Sequence, residues 1–182
     1  MKLFFTVLLA HLLGDFPLQS SSMVQAKHQG IRAYLAHGAI HLLILVFCVA
    51  AFISLELVTS LWFWMAACLY IAIHLGIDRA KQGLVSTAKL ADSASVFLLD
   101  QVLHVCTIVA LAWFLIRPTW ATLRSQLRWS TATGDKVLEA GIVYVAVIFA
   151  GGYLIRYLTR NLTAGIKKPG EDRKSTRLNS SH

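Results

Sequence analysis

Five stretches of this chain are apolar over lengths that no strand requires: Lys2 to Phe16, Ile31 to Ser54, Val58 to Ile77, Ser93 to Ile116 and Val137 to Thr159. A helix that crosses the hydrocarbon core of a bilayer needs ~20 mostly apolar residues, and such a segment satisfies its backbone internally only as a helix. Composition agrees. The chain is 57% hydrophobic and 14% charged, against ~45–50% and ~25% in ordinary soluble domains. These values exclude a soluble single domain, a disordered chain, a coiled coil and a disulfide scaffold. The expected fold is all-α: a polytopic integral membrane helical bundle with about five transmembrane helices.

The breaks between the stretches carry their own signals. Gly14, Pro17 and Ser20 to Ser22 end the first span, Asp92 offers a cap for the fourth helix, Pro118 follows it, and Gly134-Asp135 precedes the fifth. The polar run Asp78 to Leu90 suits a short helix on the membrane surface. The expected organisation is a four-helix membrane core over 1–116 that carries the polar site, a loop over 117–136, a fifth transmembrane helix over 137–160 serving as support, and a disordered tail over 161–182. The start MKLFFTVLLA also has the basic residue and apolar run of a signal peptide, but no small-x-small cleavage site follows it.

The last eleven residues, Asp172 to His182, read DRKSTRLNSSH and resemble translated sequencing-adapter read-through. Setting them aside removes Arg173, Lys174, Arg177 and Asp172, and lowers the formal charge from +8 to +6. On that reading the native C-terminus lies elsewhere and the bundle is truncated. The remaining charge belongs to loops beside a membrane, not to a nucleic-acid footprint. With the N-terminus outside, nine Lys/Arg fall on the inner side and five on the outer. This favours a multi-pass protein of a bacterial cytoplasmic membrane with its N-terminus outside. Cys48, Cys68 and Cys106 each stand alone in a span and read as small buried apolar residues. Trp62-Phe63-Trp64 reads as an aromatic belt, and Gly151-Gly152 as a point of close helix packing. The glycosylation triplet Asn161-Leu162-Thr163 falls on the inner side and carries no weight.

Ionisable residues are costly inside a bilayer, yet here they come in pairs. His11/Asp15, His37/His41, His74/Asp78 and Asp100/His104 are each four residues apart, on four successive spans. That spacing puts two side chains one turn apart on one helix face, ~5–6 Å between Cβ atoms. Such pairs hold metal ions in helical zinc motifs. The depths agree as well. The pairs sit at the exit of span one, the entry of two, the exit of three and the entry of four, which is one side of an antiparallel bundle. Mixed His and carboxylate donors suit a divalent metal, zinc first and iron or manganese next, better than calcium or magnesium.

All eight side chains are therefore candidate metal ligands, with His37, His41, His74 and Asp78 the strongest. Asp100 is the candidate general base or second-metal ligand and His104 its catalytic partner. Gln19, Lys27, Lys81 and Gln101 flank the site as candidate substrate-binding groups.

The same residues resemble a bacterial membrane family labelled domain of unknown function 3307. The matching features are H-L-L-G-D-F-P-L-Q at His11 to Gln19, Met23 with Lys27, H-G-A-I-H at His37 to His41, H-L-G-I-D-R-A-K at His74 to Lys81 and F-L-L-D-Q-V-L-H at Phe97 to His104. The resemblance implies a site but no reaction. The pairs are also similar, by analogy, to those of membrane-bound metal-dependent hydrolases. The leading expectation is thus a hydrolase acting on a lipid or a lipid-linked ester or phosphate at the inner leaflet. The alternatives are proton or metal-ion transport through the same groups, haem ligation by histidine pairs, and a structural role.

Overall fold

The computed structural model describes residues 2–27, 30–116 and 133–164, with side chains described except at 116, 133–134 and 160–164. His28, the loop cations Arg117, Arg124 and Arg128, Pro118, Lys167, Lys168 and the 172–182 segment lie outside the described residues, as do the side chains of Arg160 and Asn161–Thr163. The described elements are α1 (Lys2–Asp15), α2 (Ser21–Lys27), α3 (Ile31–Phe52), α4 (Leu55–Thr59), α5 (Leu61–Ser86), α6 (Ala94–Ile116), α7 (Thr133–Val145), a π-helical turn (Ala146–Ala150) and α8 (Gly151–Ala164). The fold is all-α, with no strand among the described residues.

Four helices are long and apolar enough to cross a membrane: α3, α5, α6 and the continuous rod made by α7, the π turn and α8. Their outward faces carry Leu35, Leu43, Phe47, Leu69, Val143 and Val147, all exposed, as lipid contact demands. The first stretch departs from the expectation of a fifth span. It forms a helix of 14 residues, about 21 Å at ~1.5 Å per residue, short of the ~30 Å hydrocarbon core. Gly14 and Pro17 end it there. α1 packs against α3, α6 and α7 and buries Leu3, Val7, Leu9, Ala10 and Leu12, so it lies within the bundle. Its N-terminus meets that of α7 through Lys2 and Asp135, 3.1 Å apart, so the two helices start at the same end.

Other local expectations are corrected. Asp78 to Leu90 does not form a separate surface helix. Residues 79–82 favour helix and contain no Pro or Gly, and α5 runs on through Ser86. The fourth helix is capped by Ser93, whose Oγ accepts from the Val96 N–H at 3.4 Å, in place of Asp92. Phe63 is fully buried in the core and is no belt residue, while Trp62 stacks on Phe114 at 4.3 Å. Gly152 faces open space and Gly151 only its own helix, so neither marks a close crossing. That role falls to Gly38, where a Cβ would lie 2.8 Å from Leu75 Cδ1. Of the cysteines only Cys48 is buried; Cys68 and Cys106 lie on exposed faces. Serines open three further helices: Ser20 caps α2, Ser54 caps α4 and Ser60 caps α5.

Candidate metal centre

The four pairs converge. His11, His37, His41, His74 and His104 are all buried, as is Asp100. Their rings touch one another, with centroids 4.2 Å apart for His41 and His74, 4.4 Å for His37 and His41, and 4.5 Å for His74 and His104. Helix geometry explains this. α1, α3, α5 and α6 each present one i, i+4 pair from the same half of the bundle, and the remaining core of these helices is apolar apart from Thr6 and the Tyr70 hydroxyl.

Asp15 is the hub. Its Oδ1 lies 3.0 Å from His41 Nε2, 3.3 Å from His37 Nε2 and 3.5 Å from His74 Nε2, and its Oδ2 lies 3.4 Å from His11 Nε2. His37 Nε2 is also 3.2 Å from His74 Nε2 and 3.4 Å from Asp78 Oδ2. Three overlapping groups could each hold a metal ion, with one donor atom per residue and all donors within 4.8 Å of one another: His11, Asp15, His41 and His74; His37, His74 and Asp78; and Asp78, Asp100 and His104. Several of these atoms have no hydrogen-bond partner, namely both His11 nitrogens, His74 Nδ1, Asp100 Oδ1 and His104 Nε2. Buried polar atoms left unpaired are costly, and a cation bound between them would satisfy them together.

The flanking groups hold the carboxylates. Lys27 Nζ donates to Asp78 Oδ2 at 2.6 Å, and Lys81 Nζ donates to Asp100 Oδ2 at 2.8 Å. Gln101 Nε2 donates to the same Asp100 oxygen at 3.1 Å. An ammonium only donates, so the Gln19 amide oxygen accepts from Lys27 Nζ at 2.6 Å while its nitrogen donates to the Asp15 carbonyl at 3.3 Å. His104 Nδ1 donates to the Asp100 carbonyl at 2.9 Å. This fixes its tautomer and turns the Nε2 lone pair inward. Gly14 matters here because the His41 ring lies on the α1 backbone; a Cβ at position 14 would sit 2.5 Å from His41 Nε2.

A cavity of about 490 Å³ opens above the cluster. Asp15, Asp78 and Asp100 lie in its wall, with Gln19, Lys27, Lys81 and Gln101 around them. Sequence reading missed three more wall residues. Tyr153, Arg156 and Tyr157 come from α8, so the fifth long helix does more than support. Their i, i+3, i+4 spacing was the available signal. Phe97 contacts both tyrosine rings, at 6.4 Å and 5.6 Å between centroids. The short helix α2 was also missed, although it is what carries Lys27 to Asp78.

The class is now defined: an all-α helical bundle of the membrane type, with buried His and Asp groups in one half that could hold a metal ion. The chain belongs to the family described as Protein of unknown function (DUF3307), whose model matches residues 3–131. That match takes in every helix that supplies a His or Asp to the cluster. No curated protein and no solved structure matches the chain.

Proposed function

We propose that the protein is a membrane-embedded metal-dependent hydrolase acting on a lipid or lipid-linked ester or phosphate. The observation that carries this reading is the convergence of eight ligand-type side chains beneath an open cavity, with several of their buried nitrogen and oxygen atoms left without a hydrogen-bond partner. A bound divalent metal, zinc by donor chemistry, would polarise a carbonyl or phosphoryl oxygen and lower the pKa of bound water towards ~7. Asp100, with His104 as its partner, would then act as general base or hold a second ion, and Gln19, Lys27, Lys81 and Gln101 would receive the substrate. Arg156 adds a cation to the cavity wall with no carboxylate partner among the described residues, which suits an anionic group. By the loop charges, the site faces the cytoplasmic leaflet of a bacterial inner membrane.

Transport fits less well. A translocation path needs polar groups continuing to the far face. Beyond the cluster the core is mostly apolar, with Val7, Leu45, Val49, Phe63, Ala67 and Ile108 each at most 1% exposed, and Thr6 and Tyr70 are its buried polar groups among the described residues. Haem fits less well too, because the imidazoles pack against one another and leave no slot for a porphyrin between them. The test is elemental analysis of the purified chain, with His37→Ala/His41→Ala as control, followed by assay on phosphate- and ester-bearing lipids in mixed micelles. Stoichiometric metal, and hydrolysis that chelation abolishes and zinc restores, are expected. An apo-protein that takes up no metal would sink the reading.

A further inference from the structure

We infer that the cluster is a two-ion centre, with one divalent cation held by His11, Asp15, His41 and His74 and a second held by Asp78, Asp100 and His104, whose seat Lys27 and Lys81 guard. The inference rests on the metal-centre reading above and deepens it.

Bond lengths set the count. Zinc-type ligand bonds are ~2.0–2.2 Å, so donors to one ion lie within roughly 4.4 Å of each other. No single position serves all eight side chains, and the two outer groups share no residue. His37 stands between them, 3.3 Å from Asp15 Oδ1 and 3.4 Å from Asp78 Oδ2.

The second seat has its own evidence. His104 Nε2 and Asp100 Oδ1 are buried acceptors without a partner. His104 Nε2 lies 3.7 Å from Asp78 Oδ1, and His104 Nδ1 lies 3.7 Å from Asp100 Oδ1. Of these, His104 Nε2 and Asp78 Oδ1 are both acceptors facing each other, and a cation held there would satisfy them together with Asp100 Oδ1. The tautomer of His104 is already fixed for ligation by its bond to the Asp100 carbonyl.

The lysines decide the order of filling. Asp78 and Asp100 each give one oxygen to an ammonium, Lys27 and Lys81 respectively. Three carboxylates against two ammonium groups leave a single negative charge for the whole cluster. The first seat faces neither lysine directly, so one dication enters there readily. A second dication meets a cationic site, repelled by the ammonium groups that sit on the far oxygens, Oδ2, of Asp78 and Asp100. Both ammonium groups line the cavity with Arg156, and an anionic group bound there would offset their charge. The second ion and an anionic ligand therefore favour each other.

The experiment titrates the full chain in detergent with Zn²⁺ and with Mn²⁺, reading ions per chain by elemental analysis after gel filtration and affinities by calorimetry. Two ions per chain are expected, the second the weaker. Lys27→Met/Lys81→Met should tighten the weaker constant about tenfold or more, since each charge-assisted contact is worth about one such factor. Inorganic phosphate should tighten it as well. Asp100→Asn should leave one ion, and His41→Ala should lose the tight one. With Mn²⁺, wild type should give a signal broadened by a neighbouring ion, and Asp100→Asn the sharper six-line signal of an isolated ion. If Asp100→Asn does not fold, the lysine variants carry the test alone. Wild type saturating at one ion overturns the two-ion inference and leaves the hydrolase reading standing. Lysine variants with an unchanged weaker constant overturn the guarding role. No ion at all overturns both readings.

Discussion

Gly14 and His41 show how much of the centre hangs on single atoms. The His41 ring occupies the space that any side chain at position 14 would need, with both Cε1 and Nε2 2.5 Å from an added Cβ. Gly14→Ala must push the ring away from Asp15. Overpacking of this kind costs ~1–3 kcal/mol, so a lower melting temperature in detergent is expected, with metal affinity down at least tenfold in the same sample. Retention of wild-type metal content would contradict this placement of His41. Ala88 offers the opposite case. It follows α5 with φ 55, the left-handed region where a Cβ is strained. Ala88→Gly should therefore stabilise by about 0.5–1 kcal/mol, read as a higher melting midpoint, with metal content unchanged.

Among the elements, α1 has the most to lose. It is too short to span, and it is held by neighbours on three sides. Leu138 of α7 is 1% exposed and packs in the cluster formed with Leu9, Leu12, Phe16 and Phe97. Leu138→Ala should cost ~2–5 kcal/mol, yet α7 supplies no ligand. The expected result is a large drop in melting temperature with full metal occupancy in the protein that remains folded. By contrast the Lys2–Asp135 pair is partly exposed on the lysine side, and such pairs contribute little. α5 shows why element limits matter. Nine residues beyond Ile77 stay helical, and that continuation puts Lys81, Gln82 and Val85 into the cavity wall below Asp78.

For the whole molecule, orientation is the open physical quantity. The proposed orientation, read from loop charges, puts the end with the His/Asp cluster towards the cytoplasm. In a background without Cys48, Cys68 and Cys106, a cysteine at Ser93 should be labelled in intact cells only by a membrane-permeant thiol reagent. One at Glu56 should be labelled by an impermeant reagent. The reverse pattern would put the site outside.

Sequence alone determined the solvent of this protein and the chemistry of its centre. Apolar length dictates helices in a bilayer, and spacing of four puts His37 on the same face as His41 whatever surrounds them. It also implied a common depth for the pairs on α3, α5 and α6, because antiparallel spans alternate exit and entry. Only the tertiary structure decided which groups share an oxygen. Asp78 has Arg79 and Lys81 beside it in sequence, but it pairs with Lys27 from α2, and Lys81 reaches across to Asp100. Helix rotation and crossing set those partners, and no local pattern encodes them. The same holds for α1, whose apolar run reads as a span until its neighbours enclose it, and for Arg156, which becomes a wall residue only because α8 lies against α6. Periodicity reports which face of a helix is buried; what that face meets depends on contacts between residues far apart in the chain.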